Sequence, residues 1–235
     1  MEEQKINEIN SIINGFKDNY KCPKCGHEQL VPLLPYINFS KNPEYYALTK
    51  NLDIFKVKCE KCGNEELIQF DILLVDEIHK YFLYFLTDKN SYNRFKYQIT
   101  YFIETTLNKD DKYNLDDFKT RLVFTHNDLI EKMTIFELGL NDKIIEIIKS
   151  GFIEKGIIDI NVYDQIYFDC MNNQNLQFVT FSSKTNTIEP LKYDVDFKFY
   201  NKIIDNIKGL DKQHHDYFEV IDQDWVKRTF TTKIE

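Results

Sequence analysis

Apolar residues recur with the spacing of a helix in some segments of the chain and with that of a strand in others, which predicts a mixture of helices and strands. At the start, apolar side chains recur every three or four positions, at Ile6, Ile9, Ile13 and Phe16. This spacing places them on one face of a helix. Residues 1–18 are therefore predicted to form a short amphipathic helix, which packs on its own domain or docks on a partner.

Residues 19–90 are predicted to form a β-rich unit. Pro32 and Pro35 restrict its first strand to a sheet edge or an irregular course, because proline cannot donate a ladder hydrogen bond. Pro43 occupies a favoured first-turn position and begins a short inserted helix. The predicted strands, of which the last two form a hairpin, cover residues 29–39, 54–58, 66–75 and 79–87.

Residues 91–235 are predicted to form a mixed α/β unit, so the fold class is α+β. Thr125 and Asn141 resemble N-caps of two helices, and Asp128 follows Thr125 by three residues as in a variant capping box. Further helices are predicted over residues 94–107 and 197–207. The predicted strands of this unit cover residues 121–124, 166–170, 176–181 and 187–193.

Composition and charge exclude several classes of protein. The chain has 235 residues, of which 43% are hydrophobic, so it can bury a core. It has no secretory signal pattern, and its notable apolar run at residues 81–86 is far shorter than the roughly 20 residues that span a bilayer. We expect a soluble, cytoplasmic protein. The formal net charge of -8 repels phosphates, so a general nucleic-acid binder is not expected.

Two matching C-x-x-C-G knuckles, at residues 22–26 and 59–63, carry the clearest chemistry in the sequence. Two intervening residues let both thiolates of a knuckle face the same ion, and the glycine permits the tight bend. Together the knuckles supply the closed set of four sulfurs that is typical of a structural zinc site. The predicted ligands of one metal ion are Cys22, Cys25, Cys59 and Cys62.

Zinc is the expected metal, but a rubredoxin-like iron centre uses the same sulfurs and would mean electron transfer. Thioredoxin-like chemistry fits poorly, because one cysteine pair would suffice for it. His27 is not expected to be a ligand, since four cysteines already fill the tetrahedron. Nearby lysines either offset the negative charge of the thiolates or form a basic face that binds phosphate. They are Lys17, Lys21, Lys24, Lys56, Lys58 and Lys61.

The remaining candidates for chemistry are weaker. Cys170 shares a predicted strand face with Phe168, so we expect it to be buried. His214 and His215 lie among aspartates, but adjacent histidines do not share a face of a helix or strand, which favours an exposed loop. Trp225 is expected to anchor the last helix in the core. The sequence contains no recognised catalytic motif.

The first knuckle continues as Cys-Pro-Lys-Cys-Gly-His-Glu over residues 22–28 and resembles the CpXC family of bacterial and archaeal proteins, named for its Cys-Pro-x-Cys motif. The resemblance extends over residues 21–86, and residues 121–149 resemble the segment that often follows. Glu60 stands where the first knuckle has Pro23, which leaves the cysteines intact. The resemblance implies a zinc-ribbon-like fold with a metal site. It supplies no activity, because the family has no assigned function.

These observations favour a non-catalytic interaction or scaffold module whose partner is another protein. An enzyme with its site in the C-terminal unit is the first alternative, and a pocket lined by perturbed acidic residues would favour it. An iron electron carrier is the second. A nucleic-acid binder is the third, and it would need the knuckle lysines on one face beside exposed aromatic residues.

Overall fold

The computed structural model describes residues 17–108, 113–184, 189–207 and 218–231. The pair His214–His215 and residues 1–16 of the predicted N-terminal amphipathic helix lie outside these ranges, whereas Lys17 and Asp18, also assigned to that helix, belong to a strand. The first described strand begins at Lys17, two residues before the predicted start of the β-rich unit.

Two antiparallel hairpins form the front of the molecule. Strand β1 (Lys17–Lys21) pairs with β2 (Glu28–Pro32), and β4 (Lys56–Lys58) pairs with β5 (Glu65–Leu67). Each C-x-x-C-G knuckle forms the turn of one hairpin. The two hairpins share a small core built from Tyr20, Cys22, Val31, Val57 and Cys59.

A four-stranded sheet forms the centre. Its strands are β3 (Tyr36–Asn38), β6 (Ile72–Asp76), β7 (Tyr81–Phe85) and β8 (Lys119–Val123). They lie in the order β3-β6-β7-β8. The predicted β6–β7 hairpin is confirmed, while β3 joins β6 and β8 joins β7 in parallel. Because β8 lies beyond residue 91 and β7 before it, the predicted boundary after residue 90 runs through this sheet.

The central sheet is buried on both faces, which explains why β6 is apolar along nearly its whole length. Leu74 faces the larger core, together with Met133 and Phe136. Val75, the next residue, faces a second core that contains Ile99. Successive strand residues point to opposite faces, so an uninterrupted apolar run suits a strand covered on both sides.

Helices cover both faces of the sheet. The predicted caps are confirmed: Thr125 accepts a hydrogen bond from the Asp128 backbone N–H at 3.1 Å, and Asn141 accepts one from Lys143 at 2.9 Å. None of the helices in the described ranges has the length and apolar character needed to cross a membrane. The described α-helices are α1 (Glu44–Lys50), α2 (Tyr92–Phe102), α3 (His126–Glu137), α4 (Asp142–Glu154), α5 (Phe197–Asn206) and α6 (Gln223–Thr231).

A three-stranded antiparallel sheet packs against α3 and α4. It consists of β9 (Gln165–Asn172), β10 (Asn175–Phe181) and β11 (Leu191–Asp196). The strand order is β11-β10-β9. Together with the front hairpins and the central sheet, these elements confirm the predicted α+β class.

A bulge in β9 changes the environment of Cys170. Phe168 pairs with Phe178, but Cys170 pairs with Gln177, so one extra residue lies between them. Gln177 and Phe178 point to opposite faces of β10, and their partners therefore do too. Cys170 is half-buried, and the prediction that it packs inside beside Phe168 is wrong.

Residues 218–221 run along the outer edge of β8. The backbone N–H of Leu122 donates to the carbonyl of Glu219 at 3.0 Å, and the N–H of Glu219 donates to Thr120 at 3.2 Å. Phe218 is fully buried and fixes this segment. In α6, which follows, Val226 reaches the core while Trp225 is only half-buried, so Trp225 is not the anchor that the sequence predicted.

Candidate metal centre

The four cysteines of the two knuckles come together between the front hairpins. The sulfurs of Cys22 and Cys62 are 3.7 Å apart, those of Cys25 and Cys59 are 3.6 Å apart, and all four lie within 4.8 Å of one another. A tetrahedral zinc site with Zn–S bonds of about 2.3 Å has sulfurs about 3.8 Å apart. The four sulfurs therefore fit one four-coordinate metal ion.

The two knuckles have the same backbone geometry. In the first, the Gly26 N–H donates to the Cys22 carbonyl and the Cys22 N–H donates to His27, both at 2.8 Å, and the second knuckle repeats both bonds at the same distance. Gly26 and Gly63 both have φ = 69°. A side chain there would meet no neighbouring atom, so it is the left-handed backbone that requires glycine. His27 supplies its backbone carbonyl, not its ring, to the knuckle.

Gln29 holds the two hairpins in register with each other. Its side-chain amide donates to the Lys58 carbonyl at 3.1 Å and accepts from the Glu60 N–H at 2.9 Å. Cys22 and Cys59 are buried at the contact between the hairpins, whereas Cys62 is exposed. The sulfur cluster thus joins two hairpins that are distant in sequence.

The thiols of the cluster have unequal acidity. Burial raises the pKa of Cys59, but the backbone N–H groups of Cys62 and Lys61 and the neighbouring thiols outweigh it and lower the pKa to about 6. The backbone at His27 lowers the pKa of Cys25, but burial and the adjacent sulfurs raise it to about 12. Four sulfurs at this separation cannot all ionise easily unless a cation balances them, so metal binding must release protons.

Three of the six lysines around the knuckles form ion pairs with carboxylates in the described part of the chain, and one of these pairs joins Lys56 to Asp53. Lys21 lies 3.2 Å from Glu28, and Lys58 lies 2.9 Å from Glu65. The groups that lower the pKa of Cys59 are backbone N–H groups and neighbouring thiols, and no lysine ammonium is among them. These lysines therefore offset the negative charge of the thiolates only in part, because carboxylates also engage them.

Residues 20–149 match the family described as CpXC protein, which is more than half of the chain. The chain belongs to the CpXC family. The match includes both knuckles, the whole central sheet, α3 and most of α4. No curated protein and no solved structure matches the chain.

A buried network of charged side chains lies beside the central sheet of this CpXC protein and is not predicted by the sequence pattern. Arg121 of β8 donates to both carboxylate oxygens of Asp142, at 2.7 and 3.1 Å. Lys149 lies 3.0 Å from Glu131 and 2.8 Å from Glu146. In the described ranges the network contains four cations and four carboxylates, which are Arg121, Lys132, Lys143, Lys149, Glu131, Asp142, Glu146 and Glu219.

The network changes the acidity of its carboxyl groups in opposite directions. Burial would raise the pKa of Asp142, but Arg121 and Lys132 outweigh it and hold the pKa well below its usual range. Burial raises the pKa of Glu131, and Lys149 offsets this only in part. Strongly perturbed groups of this kind occur at functional sites as well as in structural ion-pair networks.

One signal in the sequence points to this network. Asp142, Glu146 and Lys149 are spaced four and three residues apart and so share one face of α4. Charges on one helix face normally indicate contact with solvent. Only the fold places β8 and α3 over that face.

Proposed function

We propose that the four cysteines hold one zinc ion in a structural role, and that the protein is a non-catalytic module that binds another protein. The observation that carries the metal assignment is the closed set of four sulfurs between the two hairpins. Four protein ligands leave no open position for a substrate, which is typical of a structural site. The ion would join strands whose own shared core is small.

Zinc is proposed over iron because it brings no redox chemistry to a site whose geometry suits a structural clamp. Tetrahedral sulfur sites hold either zinc or iron. The deciding measurement is elemental analysis, with a visible absorption spectrum, of protein purified without added metal. One zinc per chain and no colour would support the proposal. Iron with a red thiolate spectrum would overturn it and make electron transfer the leading function.

An apolar groove supports the proposed interaction with another protein. It has a volume of about 550 Å³ and lies between α4, α5 and α6. Phe199 and Phe230 line it and are 45% and 37% exposed. Exposed apolar patches mark interaction surfaces.

We also propose that the protein acts in the reducing cytoplasm, where cysteines remain available to a metal. The net charge of -8 argues against nucleic acid as its partner.

The interaction is tested with Phe199→Glu, which places a charge in the groove. The variant and the wild type are used as bait in cells that naturally make the protein. We expect one or more proteins to be retained by the wild type and lost with Phe199→Glu, at unchanged zinc content. The control is Ile78→Glu, because Ile78 is 77% exposed in the β6–β7 turn and lies outside the groove. Equal retention by all three proteins would contradict a role for this groove.

A further inference from the structure

A cavity of about 260 Å³ borders the buried charge network. It lies where β8, α3, α4 and the start of β9 meet residues 220–224. Four of its lining residues are charged and at most 4% exposed. They are Glu131, Lys132, Glu146 and Lys149. A cavity with convergent, perturbed polar groups is the usual form of a small-molecule site.

We propose that this cavity binds a cationic group, a primary ammonium. Six carboxylates line it against two lysines. Lys227, outside the lining, pairs with one of them, Asp224, at 3.3 Å, which leaves three negative charges in excess. The inference is independent of the protein-binding function proposed above. The six carboxylates belong to Asp128, Glu131, Glu146, Asp164, Asp222 and Asp224.

The two lysines of the cavity are already neutralised by carboxylates. The Lys149 ammonium contacts the two oxygens of Glu131 at 3.0 and 3.1 Å and Glu146 at 2.8 Å, which uses its three protons. Lys132 lies 3.4 Å from both Asp142 and Glu146. An anionic ligand would therefore meet an excess of negative charge and no available ammonium.

Asp128 provides the counter-ion for a cation. It lies in the first turn of α3, and its backbone N–H is held by the Thr125 cap. Within the described residues, no hydrogen bond or ion pair engages its carboxylate. Asp128 thus brings to the cavity a negative charge that the protein itself does not neutralise.

Aromatic and apolar walls suit the carbon chain of an amine. Tyr163 and Tyr167 line the cavity together with Ile153, Ile160 and Ile166. Tyrosine rings attract cations through their faces, and the Tyr167 ring already lies 5.9 Å from the Lys149 ammonium. The volume is slightly below the ~300–1,000 Å³ of pockets for drug-sized ligands. A short amine or one basic side chain matches this size.

Binding is measured on the full, zinc-loaded chain by NMR, with two cationic probes and one anionic control. The probes are 1,5-diaminopentane and a blocked tripeptide with a central lysine, and the control is glutarate, which matches the diamine in length. We expect at least one cationic probe to shift the backbone signals of Asp128, Asp164 and Tyr167 saturably, while glutarate leaves them unchanged. Absence of shifts with both cationic probes, or equal shifts with glutarate, would overturn the proposal.

The two probes separate the possible sources of the cation. Stronger binding of the diamine would assign a free amine, and stronger binding of the peptide would assign a lysine side chain of another protein. Either result supports a cation site. Neither result depends on the apolar groove, so the loss of partner proteins expected for Phe199→Glu is tested separately.

Asp128→Asn tests the residue that the cation would contact. The change keeps the size of the side chain and the backbone N–H bond to Thr125, and we expect the probe to bind about tenfold more weakly or worse. The control is Asp205→Asn on the exposed side of α5, which changes the net charge equally outside the cavity. Unchanged affinity of Asp128→Asn, or an equal loss in Asp205→Asn, would show that Asp128 is not the counter-ion.

Discussion

Cys59 is one of the two fully buried sulfurs of the metal centre, and its replacement is the most direct test of the ligand set. In Cys59→Ser, a hydroxyl replaces a thiolate, so we expect metal content to fall well below one ion per chain. We also expect a loss of at least about 3 kcal/mol of stability, or about 6–12 °C in Tm. Elemental analysis and thermal unfolding measure the two effects.

Cys170→Ala is the matched control, because Cys170 lies on β9 outside the sulfur cluster. Cys170→Ala should leave the metal content unchanged. Loss of the metal in this variant would show that the ligand set is wrong. An unchanged melting temperature in Cys59→Ser would contradict a structural metal.

Asp142 is fully buried, and its replacement tests how much the charge network contributes to stability. Asp142→Asn leaves Arg121 and Lys132 without their shared carboxylate. Breaking a buried ion pair from one side costs about 3–5 kcal/mol, which urea unfolding measures. Asp205→Asn on the surface should stay within about 0.5 kcal/mol of the wild type. A similar, small effect of both variants would mean that the network contributes little to stability.

The stability difference between the wild type and Asp142→Asn should depend on pH. The pKa of Asp142 is lowered in the folded protein, so its stabilising effect is full above the unfolded value of about 3.9 and is lost as pH falls further. The wild type should therefore lose its advantage over Asp142→Asn progressively as the pH falls below about 4. Glu131 has a raised pKa and acts in the opposite direction, but it titrates in both proteins. Parallel urea-midpoint profiles of the two proteins would contradict the assignment.

Among the structural elements, the knuckle turns require glycine, whereas a glycine inside a helix lowers stability. Gly63 has φ = 69°, so Gly63→Ala should cost about 1–2 kcal/mol through backbone strain. Gly151 lies inside α4, and an added methyl there meets open space, so Gly151→Ala should stabilise the protein by about 0.5–1 kcal/mol. Urea unfolding of the zinc-loaded variants should show the two opposite signs. Equal effects would mean that the turn does not need its left-handed residue.

Elements specified by neighbouring residues were predictable, and contacts between distant ones were not. The knuckles depend on five consecutive residues, and the Thr125 cap on four, so both follow from the sequence. The pair Arg121–Glu219 joins residues that are far apart in the chain, and the β9 bulge depends on how β10 pairs. Charged helix faces also have the same pattern whether water or an opposite charge covers them.

On the scale of the whole molecule, the front hairpins and the central sheet have separate cores, with Leu33 and Ile68 packing against both. Removal of the metal by a chelator should therefore unfold the hairpins first. In hydrogen exchange, we expect protection to disappear in β1, β2, β4 and β5 and to persist in β6 and β7. Loss of protection throughout would mean that the metal supports the entire fold. Unchanged protection in the hairpins would exclude a structural role.

The segment at residues 218–221 has a consequence for self-association. An open strand edge is a template on which strands of other molecules can add. Glu219 occupies the edge of β8 through two backbone hydrogen bonds and an ion pair to Arg121. The chain thus shields its own sheet with residues from beyond the family-matched region. A protease that cut after α5 and released this segment would convert a shielded edge into a seed for aggregation.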